Sequence, residues 1–100
     1  DDNYSAKPGY SEHHTGLAFD ISDTIHGLTL NFSKSKTYKW LINNSYKYGF
    51  ILRYPQNKEN ITMYSYEPWH FRFVGEELAK FLYTNNLTLE EYILKYLEIK

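Results

Sequence analysis

One hundred residues allow one domain with a single modest core, since a chain of this size buries roughly 60–70% of the surface it exposes when unfolded. A composition of 42% hydrophobic and 23% charged residues, with five Gly and three Pro, excludes a collagen-like or wholly disordered chain. Eleven basic against twelve acidic residues give a formal charge of −1 and no electrostatic case for nucleic acid, while zero cysteines exclude a disulfide frame, a thiol nucleophile and a cysteine metal site.

Residues 1 to about 10 carry charge, Ser, Pro and Gly and read as an irregular lead-in. Leu17 to Ser22 alternate apolar and polar partners, which predicts a strand. Residues 23–33 are mixed and read as a loop with a short extended piece at Leu28 to Leu30. From Ser35 to Tyr48 the apolar spacing is helical, and Gly49 suits the helix C-terminus. Phe50-Ile51-Leu52 reads as a short buried strand. The polar run Gln56 to Asn60 then predicts a hairpin loop leading into a strand at Ile61 to Tyr64.

His70 to Val74 alternates polar and apolar residues as a further strand, and Gly75 hands over to a helix from Glu76 to about Tyr83. Thr88 followed by Glu91 is a capping box opening a last helix. Strand and helix signals mix without regular βαβ alternation, which predicts an α+β domain with a small antiparallel sheet. No apolar run within these residues approaches the ~20 of a membrane span, and no signal peptide is expected in them.

Chemistry concentrates in two clusters. In the first, Ser11 to Asp20, an imidazole at His13 precedes the carboxylate of Asp20 with Gly16 between them, where a tight turn is permitted. Ala18 and Asp20 share one strand face, with Leu17, Phe19 and Ile21 on the other. An Asp among apolar strand residues is costly to bury unless it is paired or holds a metal. The second cluster, Tyr66-Glu67-Pro68-Trp69-His70, puts Glu and His three apart. Pro68 argues against a helix interior and biases Glu67 towards extended backbone. A turn there would bring both side chains to one side.

Together the clusters offer His13, Asp20 and His70 as three nitrogen or oxygen ligands, with Glu67 beside them. Three protein ligands are what a catalytic zinc site takes, leaving one position for water. The competing reading is a salt-bridged Asp20 with ordinary histidines. His14 reads as a neighbour of the ligand and His26 as a loop residue. Arg53 and Arg72, the two arginines, read as structural ion pairs.

The pattern S-x-H-x-x-G-x-A-x-D, filled by Ser11, His13, Gly16, Ala18 and Asp20, is followed in order by Tyr48 to Pro55 and by Glu67-Pro68-Trp69-His70-Phe71-Arg72-Phe73-Val74-Gly75. From about Pro8 to Leu97 the chain resembles the VanY-type zinc D-alanyl-D-alanine carboxypeptidases, which include L,D-carboxypeptidases of peptidoglycan. The resemblance implies the hedgehog/DD-peptidase-like α+β fold, one Zn2+ ion on His13, Asp20 and His70, and Glu67 as catalytic base. It implies removal of the C-terminal D-alanine from a peptidoglycan stem peptide, outside the cytoplasm. A small, near-neutral domain gives no reason to invoke a dimer, and a monomer is expected. Ser11 and Trp69 are candidate substrate contacts. A pentapeptide stem offers a D,D bond and a tetrapeptide an L,D bond, and both stay open.

Two departures qualify the resemblance. The family carries an upstream segment with an arginine in an S-x-Y-R-S motif, which residues 1–100 lack, so they read as a single zinc peptidase domain without that segment. Met63 stands where the family pattern expects glycine, narrowing the cleft or filling a gap. The alternative function is therefore a non-catalytic peptide- or wall-binding module on the same fold.

Overall fold

A computed structural model of the chain describes residue 13 and residues 16–97. Three short strands form one antiparallel sheet: β1 (Ala18–Asp20), β2 (Phe50–Leu52) and, between them, β3 (His70–Phe73). The helices are α1 (Lys36–Asn44), the single turn α2 (Glu59–Thr62), α3 (Glu76–Asn85) and α4 (Leu89–Tyr96). This is the α+β architecture expected of the sequence.

Register fixes which side chains share a face. Ala18 pairs with Arg72 and Asp20 with His70, while Ile51 also pairs with Arg72. Partners across a ladder point the same way, so Ala18, Asp20, Ile51, His70 and Arg72 line one face. Ile51 packs there on Ala79 and Leu82 of α3, both essentially inaccessible to water. Burying a side chain the size of Leu82 contributes about 1.5–3 kcal/mol. The opposite face carries Phe19, Phe50, Phe71 and Phe73; Phe50 meets Phe19 and Phe73 edge-on at 6.0 and 5.4 Å.

The helix signals hold, with shifted ends. Ser35 caps α1 by accepting the Tyr38 N–H at 2.9 Å. The α-helix stops at Asn44 and tightens into a 3-10 turn at Ser45–Tyr48, which Gly49 closes with φ 90°. Tyr46 in that turn stacks on Tyr83 of α3 at 4.1 Å. Thr88 and Glu91 form both halves of the predicted capping box. The acidic first turn of α4 also reaches back across the molecule, Glu90 to Arg53 at 2.8 Å and Glu91 to Lys58 at 2.9 Å.

Two expectations fail for local reasons. The extended piece at Leu28 to Leu30 is absent; Leu30–Lys34 form a 3-10 turn instead. Asp23 accepts the His26 N–H and the Thr29 hydroxyl donates to the His26 carbonyl, and such local bonds compete with extended pairing. The hairpin around residues 56–60 is also absent. Ile61 and Thr62 donate to the Lys58 carbonyl at 2.9 and 3.0 Å, making α2, while β2 finds its partner in β3. Met63 ends that turn in the left-handed region at φ 66° and is 63% exposed, so it fills no gap.

Candidate metal centre

β1 ends and β3 begins at the same rung. Asp20 and His70 are cross-strand partners on one face, so their side chains lie side by side. His13 arrives from the preceding segment. Its carbonyl accepts the Gly16 N–H at 3.2 Å, and Gly16 at φ 76° turns the chain into β1. His13 Nε2 lies 3.1 Å from Asp20 Oδ1, and the His13 and His70 ring centroids are 4.6 Å apart. One donor atom from each of His13, Asp20 and His70 falls within 4.8 Å of the others.

The Pro68 turn supplies the kink that a straight strand would not. The His70 N–H donates to the Glu67 carbonyl at 3.2 Å, with Pro68 at the second position, where its fixed φ suits a turn. His70 Nδ1 thereby lies 3.0 Å from Glu67 Oε1. Two further backbone bonds pin this turn: the Glu67 N–H to the Tyr54 carbonyl at 3.0 Å and the Ile21 N–H to the Trp69 carbonyl at 2.8 Å.

The cluster is a cup with a rigid floor. His70 is 5% exposed, whereas the His13 and Asp20 side chains are 35% and 37% exposed. Two imidazoles and a carboxylate, with a second carboxylate adjacent, form a donor set suited to a divalent ion of the zinc type. Among the described residues this is the set that gathers three such donors.

The other candidates fall elsewhere. Ser11 and His14 lie outside the described residues. Trp69 is half-buried between Glu67 and His70. His26 closes its own loop, with Nδ1 at 2.8 and 2.9 Å from the Asp23 carboxylate; the His26 backbone N–H chiefly holds that carboxyl below its usual range. Arg53 is the expected ion pair, with Glu90. Tyr38 takes the Tyr66 hydroxyl at 2.7 Å, and burial together with this bond pushes its phenol up. A cavity of about 300 Å3 lies between α1, β2 and α3, lined by Ile42, Phe50 and Leu82 and by none of the clustered donors.

One neighbour of the cluster lies in the Tyr48 to Pro55 stretch, but the sequence assigns it no role. Tyr54 is buried, and its ring stands 4.9 Å from that of His70 at 69°. Among nineteen aromatic residues no spacing distinguishes it from packing.

A family model described as VanY, D-alanyl-D-alanine carboxypeptidase, matches residues 1–76. The chain belongs to the VanY family. A D-alanyl-D-alanine carboxypeptidase of Enterococcus faecalis (strain ATCC 700802 / V583) is 48% identical over 93 residues, covering 92% of this chain and 33% of that protein. The solved LdcB LD-carboxypeptidase is 54% identical with a TM-score of 0.88, covering 94% of this chain and 45% of that one. A vancomycin-resistance D,D-pentapeptidase VanY variant, solved with Zn(II), is 50% identical with a TM-score of 0.77, covering 92% of this chain and 49% of that one. The VanY-family chain thus spans between about a quarter and a half of the length of the curated relatives it matches. No helix among the described residues is long and apolar enough to cross a membrane.

Proposed function

We propose that this VanY-family chain belongs to a zinc carboxypeptidase that removes the C-terminal D-alanine from peptidoglycan stem peptides. The observation that carries the reading is the shared rung of Asp20 and His70, with His13 3.1 Å from Asp20 and Glu67 3.0 Å from His70. His13, Asp20 and His70 would hold one ion. Zinc, when bound, acidifies water towards pH ~7 and polarises a carbonyl. The likeness to a VanY structure solved with Zn(II) supports that choice of metal.

The chain's own residues supply the proton handling. The Glu67 backbone is held by its N–H bond to Tyr54 and by the Pro68 turn, and its carboxylate lies 3.0 Å from His70 Nδ1 at the cluster. It accepts the proton of the attacking water and returns it to the leaving amine. Trp69 walls one side of the cleft and Ser11, two residues before His13, hydrogen-bonds the stem peptide. The protein acts outside the cytoplasm, as a monomer.

Mass spectrometry of the zinc-loaded protein with stem pentapeptide and with tetrapeptide tests this. Loss of one alanine from the pentapeptide identifies a D,D-carboxypeptidase, and from the tetrapeptide an L,D-carboxypeptidase. Glu67→Gln should retain zinc while hydrolysis falls at least ~100-fold; His70→Ala should lose zinc as well. Cleavage of neither peptide with zinc bound points to the upstream segment or to a binding role, which the same assay on a longer form of the protein separates; a fully active Glu67→Gln refutes the proton-handling reading.

A further inference from the structure

The two residues after β2 are built into the metal centre from behind. The Arg53 N–H donates to the His70 carbonyl at 3.0 Å and the Tyr54 carbonyl accepts the Glu67 N–H at 3.0 Å, so this segment brackets both ends of the Pro68 turn. Pro55 follows and can add no further ladder donor. The Tyr54 side chain, 5% exposed, is then directed at His70.

Each side of the Tyr54 ring is engaged. Tyr64 stacks on it at 4.4 Å and 17°, the Arg53 guanidinium carbon lies 4.8 Å from its centroid, and His70 meets it in a T-shaped contact at 4.9 Å. Arg53 is itself anchored to Glu90 of α4 at 2.8 Å. An imidazole has a broad, roughly two-fold torsional preference about the bond to its ring. A half-turn of His70 would exchange Nδ1 for a carbon on the side facing Glu67. His13 and Glu67 border that ring at the cleft, and Tyr54 borders it from the interior.

We infer that Tyr54 is a positioning residue for His70: its ring, held by Tyr64 and Arg53, fixes the imidazole so that the same nitrogen always faces the cleft. The inference rests on the reading of His70 as a zinc ligand. Groups that orient a metal ligand typically govern metal affinity by about 10–100-fold. The ring performs this role through shape, so the hydroxyl should matter little.

The test compares Tyr54→Leu with Tyr54→Phe, reading zinc affinity by competition with a chromophoric chelator and the unfolding midpoint separately. Tyr54→Leu should weaken zinc about 10-fold or more, and Tyr54→Phe should stay within about 2-fold of wild type. In the metal-free protein, imidazole nitrogen NMR should show one fixed His70 ring in wild type and an averaged one in Tyr54→Leu. Wild-type zinc affinity in folded Tyr54→Leu overturns the inference, as does an equal loss in Tyr54→Phe. If Tyr54→Leu does not fold, Tyr64→Leu, at a half-buried position, removes the stacking partner and should weaken zinc in the same direction; unchanged affinity there overturns it. A wild type that binds no zinc refutes the metal-centre reading instead, and the metal-free spectra still judge whether Tyr54 holds the ring.

Discussion

Gly49 sits where three parts of the fold meet, and replacing it with Ala should be among the most damaging single-methyl changes in the protein. Its backbone lies at φ 90°, and an added Cβ would come 2.5 Å from Phe73 Cε1, 3.1 Å from Phe73 Cδ1 and 3.2 Å from the Gly75 carbonyl carbon. Ordinary carbon contacts lie near ~3.5–4.0 Å, so the Phe73 ring or the backbone must move. The left-handed conformation costs an L-residue about 1–2 kcal/mol and overpacking about 1–3 kcal/mol, offset by ~0.5–1 kcal/mol from a stiffer unfolded chain. The expected net loss is about 1–4 kcal/mol. With a urea dependence of about 1–3 kcal/mol/M, the unfolding midpoint should fall by about 0.3–4 M.

Trp40 and Trp69 fluorescence would follow the transition. In a Phe73→Ala background the two ring contacts are gone and only the 3.2 Å approach to the Gly75 carbonyl carbon remains, so Gly49→Ala should cost less there, close to the backbone share of about 1–2 kcal/mol. A midpoint shift below about 0.3 M, or an equal loss in both backgrounds, would refute the steric argument. The Gly49 carbonyl also accepts the Val74 and Gly75 N–H groups at 2.8 and 3.2 Å, so the same change loosens the end of the strand that begins at His70.

Two further changes probe the end of α2 and the last helix. Met63→Gly should stabilise by about 0.5–1 kcal/mol and raise the thermal midpoint by about 2–8 °C, because it relieves an exposed left-handed residue at φ 66°; a lower midpoint would count against that account. Burial pushes the Glu91 carboxyl up, but the Thr88 N–H and Lys58 outweigh it and hold the group below its usual 4.5. A depressed carboxylate contributes stability above its unfolded pKa, and this is lost as pH falls through the folded value. Glu91→Gln should therefore flatten the urea-midpoint curve below about pH 5; curves parallel to wild type would show that the carboxylate is not the source.

The candidate donors stood out in the sequence because chemistry constrains residue type. An Asp within an apolar strand and a Glu-Pro-Trp-His turn both conflict with simple packing, and both lie at the cluster. The helices were legible through Ser35, Thr88 and Glu91, whose capping bonds are local. What failed was the choice between extended pairing and local bonds: Ile61 and Thr62 bond back to Lys58, and Asp23 and Thr29 bond around His26. Residues 61–64 do not pair with β2, whose partner is β3, and nothing within residues 50–64 encodes that partner. Tyr54 lay within the Tyr48 to Pro55 stretch, but its place beside the cluster comes from His70, sixteen positions later, in a chain rich in rings.

The shared rung of Asp20 and His70 has a consequence for how the molecule reaches its native state. A slip of one residue between β1 and β3 would set Phe19 or Ile21 in place of Asp20 and turn the carboxylate to the opposite face. Strands of three and four residues have few rungs with which to resist such a slip. An ion that binds only the aligned pairing favours it by about 2.7 kcal/mol at a hundred times its dissociation constant. The ligands would then act as a gauge of alignment, and metal supply during folding would set how many molecules finish with their strands correctly matched.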